Sequence, residues 1–191
     1  MPLLERGFKT WAERFSLSLR KEMGLTGTEP LNPRALARFV GARILTPDQI
    51  PGLSTAATRQ LLETDPEGWS AVTVAIDGNP LIVYNSRHSV GRQASDIAHE
   101  VAHLLLDHDP GKMVLSQDGA MVMRSFNEKQ EEEANWLAWC LLLPREALMF
   151  AIRKRLTIED IALQFGVSKT LVNYRLRITG VRTHLQRASN Y

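Results

Sequence analysis

Two histidines and a glutamate in the run HEVAH, His99, Glu100 and His103, are the residues of this 191-residue chain best suited to chemistry. Residues four apart on a helix share a face, so the two imidazoles converge on one point while Glu100 projects beside them. The pattern suits a single Zn²⁺ ion, which takes neutral imidazole nitrogens and, in catalytic sites, keeps a position for a water whose pKa falls to roughly 7. Glu100 then stands where a general base is needed.

Catalytic zinc normally has three protein ligands, so a third must come from elsewhere. Leu106 and Asp109 occupy the positions where the metzincin pattern puts glycine and histidine, and His108 has the wrong spacing to replace them. The segment EEEANWLAWCLLLP offers Glu131, Glu132 and Glu133 instead. On a helix Glu131, Ala134, Asn135, Ala138 and Leu142 share one face, and the two alanines let the backbone approach a neighbouring helix closely enough for a glutamate to reach the metal. Glu131 is therefore the expected third ligand. Asn135, one turn on, is expected to hydrogen-bond a ligating histidine from behind. Glu132 and Glu133 read as a solvated helix start, favourable to the macrodipole.

Periodicity and punctuation outline the elements that must hold these residues. Leu4, Phe8, Trp11, Phe15 and Leu19 recur at helical spacing and predict an amphipathic helix to about Met23. Its mixed charges favour a core or interface helix over a membrane-surface one. Asn32 and Pro33 read as the cap and first residue of a second helix, to about Gly41. Arg43–Leu45 reads as a short strand and Thr55–Glu63 as a helix. Trp69–Ile76 and Leu81–Tyr84 predict a β-hairpin joined by Asp77, Gly78, Asn79 and Pro80. The HEVAH helix is expected from Arg92 to Asp107, and residues 109–126 as an irregular or short-strand connection. A further helix follows from Asn127 or Glu128 to Leu143, and Pro144 opens the next. An extended peptide is expected to pair with the hairpin edge at Leu81–Tyr84.

The fold class that follows is α+β: a mostly helical domain with a small antiparallel sheet, divided into an N-terminal helical region (1–50), a core carrying the site (51–152) and a C-terminal segment (153–191). The chain is long enough to bury a sizeable core, and its 44% hydrophobic and 23% charged content is ordinary for a globular protein. No apolar run approaches the roughly 20 residues that cross a bilayer, and the N-terminus lacks a signal-peptide core, so a cytoplasmic location is expected. Cys140, the single cysteine, sits among Trp136, Leu137, Trp139 and Leu141 and reads as an inert buried thiol. Charge is uneven: 8 basic against 5 acidic side chains over residues 1–50, 7 against 14 over 51–150, and 8 against 2 over 151–191. An acidic middle suits a cation site, and a basic end suits an acidic partner.

The segment GRQASDIAHEVAHLLLDH, then EEEANWLAWCLLLP, then a Gly-Val-Ser helix-turn-helix-like stretch together resemble the ImmA/IrrE family of zinc metallopeptidases over roughly residues 65 to 180. The resemblance implies a zincin-like, gluzincin-type site with His99 and His103 as ligands, Glu100 as base and Glu131 as third ligand. Departures at Ser95, Leu137 and Ala138 bear on packing. It also implies a protein substrate, since members of the family cut helix-turn-helix repressors. Extra docking surface for such a target is expected from Phe8, Trp11 and Phe15 and from the basic segment after Ala151.

Ile158–Leu176 places Ala162, Gly166 and Val172 at helix-turn-helix spacing, with Ser168 as cap. Lys169, Asn173, Arg175 and Arg177 are candidate contacts to nucleic acid or a partner. The apolar anchor expected three residues after Val172 is Arg175, which favours a helical pair packed on the core or docking a protein. DNA binding by a non-proteolytic regulator is the alternative.

Overall fold

The computed structural model describes residues 3–76, 78–108, 114–115, 121–122 and 127–181. Its architecture is α+β, with helices packed against a small three-stranded sheet. Helix α1 (Phe8–Glu22) starts later than its apolar repeat suggests, because Gly7 at φ +96° breaks the chain ahead of it. Helix α2 (Pro33–Phe39) begins where expected, with the Asn32 side chain accepting from the Arg34 and Ala35 N–H groups. Strand β1 (Arg43–Leu45) follows, then α3 (Thr55–Arg59), whose last turn widens into a π-helical stretch at Gln60–Thr64.

Strands β2 (Ala71–Ile76) and β3 (Asn79–Tyr84) form the expected hairpin in antiparallel register from Ala71 opposite Tyr84 to Ile76 opposite Asn79. Its turn is tighter than the sequence reading, since β3 already begins at Asn79. Gly78 at φ +76° takes the left-handed conformation that a two-residue turn requires; Asp77 lies outside the described residues. The sheet is mixed rather than antiparallel: β1 runs parallel to β3, Arg43 opposite Leu81 to Leu45 opposite Val83, in the order β1-β3-β2. Strand β3 is thus central, and the expectation of a free edge at Leu81–Tyr84 is corrected. Pro80 is tolerated in it because the pairing with β1 begins one residue later.

Helix α4 (Val90–Leu105) carries HEVAH and packs against the sheet, α2 and α5 (Glu128–Leu142). Of the intervening segment, only the paired strands β4 (Val114–Leu115) and β5 (Met121–Val122) are described. Helix α6 (Arg145–Arg153) opens behind Pro144, and α7 (Ile158–Phe165) and α8 (Lys169–Thr179) are the last elements among the described residues. The α7–α8 turn uses Gly166 at φ +63° and Ser168, which accepts from the Leu171 N–H, as a helix-turn-helix does.

The core lies between α4 and α5, where Ile97, Ala98, Val101, Ala134, Leu137, Ala138 and Leu141 are almost wholly buried. Its far side is closed by two buried arginines that converge on one helix end. Arg20 of α1 donates to the Leu141 and Leu142 carbonyls at 2.7 and 3.3 Å, and Arg175 of α8 donates to that of Leu143 at 3.0 Å. Cations there meet both the orphan carbonyls and the negative end of the α5 dipole. Arg175 also pairs with Glu13 of α1 at 2.6 Å, and Glu13 accepts from the Arg145 N–H at the start of α6. Arg175 was expected on an outer face and is instead a core residue, which explains why a charge occupies the apolar-anchor position.

Candidate metal centre

Small side chains on the facing sides of α4 and α5, Ala98 and Ala102 against Ala134 and Ala138, let the two helices approach closely. The side chains above this contact meet. His103 Nε2 lies 3.0 Å from His99 Nε2, while the Glu131 carboxylate is 3.2 Å from Nε2 of His99 and 3.7 Å from Nε2 of His103. One donor atom from each residue falls within 4.8 Å of the other two. Two imidazole nitrogens and a carboxylate oxygen are the donor set that zinc accepts, so these residues fit the ion. Glu132 does not join them.

The back of the site is hydrogen-bonded. His99 Nδ1 lies 3.0 Å from Asn135 Oδ1, so the amide oxygen accepts the ring N–H and leaves Nε2 free of its proton. Behind His103, His108 Nδ1 is 3.0 Å from His103 Nδ1, and His108 Nε2 is 3.3 Å from Glu133. Glu133 is therefore turned inward, its side chain only 14% exposed, rather than solvated as its place at a helix start suggests.

Glu100 is 2% exposed and accepts a 2.6 Å hydrogen bond from the Thr73 hydroxyl of β2. It borders a cleft of about 370 Å³ together with Ser70, Asp96, His99, Glu131 and Trp139. Asp96, one turn before the motif, is held by His88 Nδ1 at 2.8 Å.

The family model for the IrrE N-terminal-like domain matches residues 56–177, which include β2, β3, α4, α5, α7 and most of α8. The chain belongs to this family. A Mycobacterium tuberculosis transcriptional regulator has a similar fold, with a TM-score of 0.53 and 21% identity over 90% of this chain. This chain spans 47% of that regulator's length, so the likeness is one of fold. No curated protein matches the sequence. Membership in the IrrE-like family implies a metallopeptidase-type domain, and among the described residues no helix is long and apolar enough to cross a membrane.

Three residues of this IrrE-like site escaped the sequence reading. Thr73 is an unremarkable strand threonine until the hairpin is laid against α4. His108 lies five residues beyond His103, outside helical spacing, and Glu133 is one of three consecutive glutamates. Only the turn that ends α4 brings the last two together. Of the four candidate contacts on α8, Asn173 and Arg177 are exposed, Lys169 is paired with Glu159 at 2.9 Å, and Arg175 is fully buried.

Proposed function

We propose that the chain is a zinc-dependent endopeptidase in which His99, His103 and Glu131 hold one ion and Glu100 is the general base. The observation that carries this reading is the convergence of two Nε2 atoms and a carboxylate beside a buried glutamate at the mouth of an open cleft. Zinc, when bound, would polarise the scissile carbonyl and make water acidic enough to be deprotonated near neutral pH. Glu100 takes the proton from the attacking water and returns it to the departing amine nitrogen, and Thr73 holds its carboxylate in place for both transfers. An extended peptide pairs with the outer edge of β2, the strand that leads from Ser70 and Ala71 at the cleft to Thr73.

The family resemblance supports a regulatory target, a helix-turn-helix repressor that loses its hold on mobile-element or stress genes when cut. Selectivity for one folded protein needs surface beyond the cleft, and the stacked Trp11 and Phe15 rings, 4.9 Å apart with Trp11 41% exposed, offer it on α1. The test is to incubate the zinc-loaded protein with the repressor encoded beside it and with casein. One discrete cut in the repressor, absent with Glu100→Gln, is expected; cleavage of casein alone would refute the target.

A non-proteolytic regulator that reads DNA through α8 is the competing reading, favoured by the helix-turn-helix geometry of α7 and α8. The burial of Arg175 and the pairing of Lys169 weaken it. Under the peptidase reading a salt titration shows only weak, sequence-independent DNA binding.

A further inference from the structure

We propose that His108 and Glu133 are positioning residues for the metal site, a carboxylate–imidazole pair that sets the tautomer and ring orientation of His103. The inference rests on the zinc reading above and adds to it two residues that would not touch the ion.

The chain of assignments starts at the carboxylate. The Glu133 carboxylate, whose other oxygen lies 3.8 Å from Lys129 Nζ one turn away, offers only acceptors. It faces His108 Nε2 at 3.3 Å, and this places the proton of that ring on Nε2. A neutral His108 protonated there has Nδ1 as an acceptor. Its neighbour at 3.0 Å is His103 Nδ1, which must donate. The remaining nitrogen of His103, Nε2, is then unprotonated, and it is the atom that faces His99 Nε2 and Glu131. Asn135 imposes the same tautomer on His99 from the other side. Each histidine is thus prepared for a cation through its Nδ1, one by an amide and the other by an imidazole–carboxylate pair.

The backbone is bent to make this possible. Helix α4 ends in a Schellman turn, in which the Asp107 N–H bonds the Leu104 carbonyl at 3.2 Å and the His108 N–H bonds that of His103 at 3.1 Å. The turn needs a left-handed residue, usually glycine, and Asp107 takes it at φ +51°. That conformation folds His108 back over the last turn, where its side chain is 6% exposed. A non-glycine residue held in left-handed conformation beside a site is the kind of strain that functional geometry retains.

The test measures zinc affinity by chelator competition for the full chain and for His108→Leu, His108→Asn and Glu133→Gln, with the His103 tautomer read by long-range ¹H–¹⁵N NMR on the zinc-free proteins. Asparagine places an oxygen near the position of Nδ1 and keeps the acceptor for His103. We expect His108→Leu to bind zinc about 10- to 100-fold more weakly and to lose the Nδ1-protonated tautomer. His108→Asn should retain the tautomer and most of the affinity, and Glu133→Gln should fall between. Should His108→Leu fail to fold, Glu133→Gln still reads the chain. Wild-type affinity in both the leucine and glutamine variants overturns the proposal while leaving the metal site intact. Equal weakening in the leucine and asparagine variants with an unchanged tautomer overturns it too, by showing a packing role. A wild-type protein that binds no zinc removes the underlying reading itself.

Discussion

Replacing Glu100 with glutamine exchanges one oxygen for an amide nitrogen, preserving volume while removing the ability to take a proton. Turnover should fall by about 10²-fold to 10⁴-fold or more, with zinc affinity and unfolding midpoint close to wild type. Near-normal turnover in that variant would remove Glu100 from the base role. Thr73→Val tests the support of the same carboxylate: it deletes the hydroxyl that donates to it at 2.6 Å and keeps the side-chain shape. We expect a drop in kcat of about 10- to 150-fold at unchanged zinc affinity, since a hydrogen bond to a charged group is worth about 1.5–3 kcal/mol. Cys140 makes the opposite point, that a nucleophile by type is inert by place. Burial pushes its thiol up to about 12 from 9.0, so the folded protein keeps it neutral. The unfolded chain ionises it above about pH 9, which means that the stability this neutral thiol contributes is complete below that pH and is lost as pH rises toward 12. A thiol reagent at pH 8 should leave the native protein unlabelled and modify it fully in denaturant.

Helix boundaries were largely legible because their signals are local. Asn32 before Pro33, Ser168 before α8 and Asn127 before α5 each cap the helix that they announce. The placement of Glu131 beside His99 and His103 was legible too, because the alanines on its face, Ala134 and Ala138, reveal which side of α5 approaches a neighbour. Strand order was not, since nothing within Arg43–Leu45 or Leu81–Tyr84 says that one pairs parallel to the other; that pairing is made across a long stretch of chain. The inward turn of His108 and Glu133 was hidden for a similar reason, being set by a left-handed residue that is not glycine. Contact between elements also sets the cost of small changes. A Cβ on Gly91 at the start of α4 would lie 2.7 Å from Ser168 N and 2.8 Å from Val167 C in the α7–α8 turn, backbone atoms that cannot rotate away. Gly91→Ala should therefore cost about 1–3 kcal/mol in denaturant unfolding. Arg175→Met removes the donors to Leu143 and Glu13 together. Because Glu13 keeps its bond to the Arg145 N–H and is partly exposed, we expect the lower part of the range for a broken buried pair, about 3 kcal/mol.

Across the whole molecule, the helix-turn-helix-like pair is built into the structure that holds the site. Tyr174 of α8 meets Trp139 of α5 edge-on at 4.7 Å, and Trp139 borders the cleft. Stopping the chain after Arg153 should therefore yield a protein that loses its near-ultraviolet circular dichroism and is rapidly proteolysed; a stable, zinc-binding fragment would show the last helices to be dispensable. The two arginines at the end of α5 carry a further implication, for how the fold comes apart. Arg20 reaches that end from α1 and Arg175 from α8, and Glu13 joins the two elements behind it. Neither helix can leave without stripping partners from carbonyls that water cannot reach, so partial opening has no cheap route. Amide protons in the last turn of α5 should then exchange with deuterium only through complete unfolding, with a free energy equal to the global one and the same dependence on denaturant. The helix that brings Glu131 beside His99 and His103 is in this way clamped at its opposite end, and the candidate site is as long-lived as the fold.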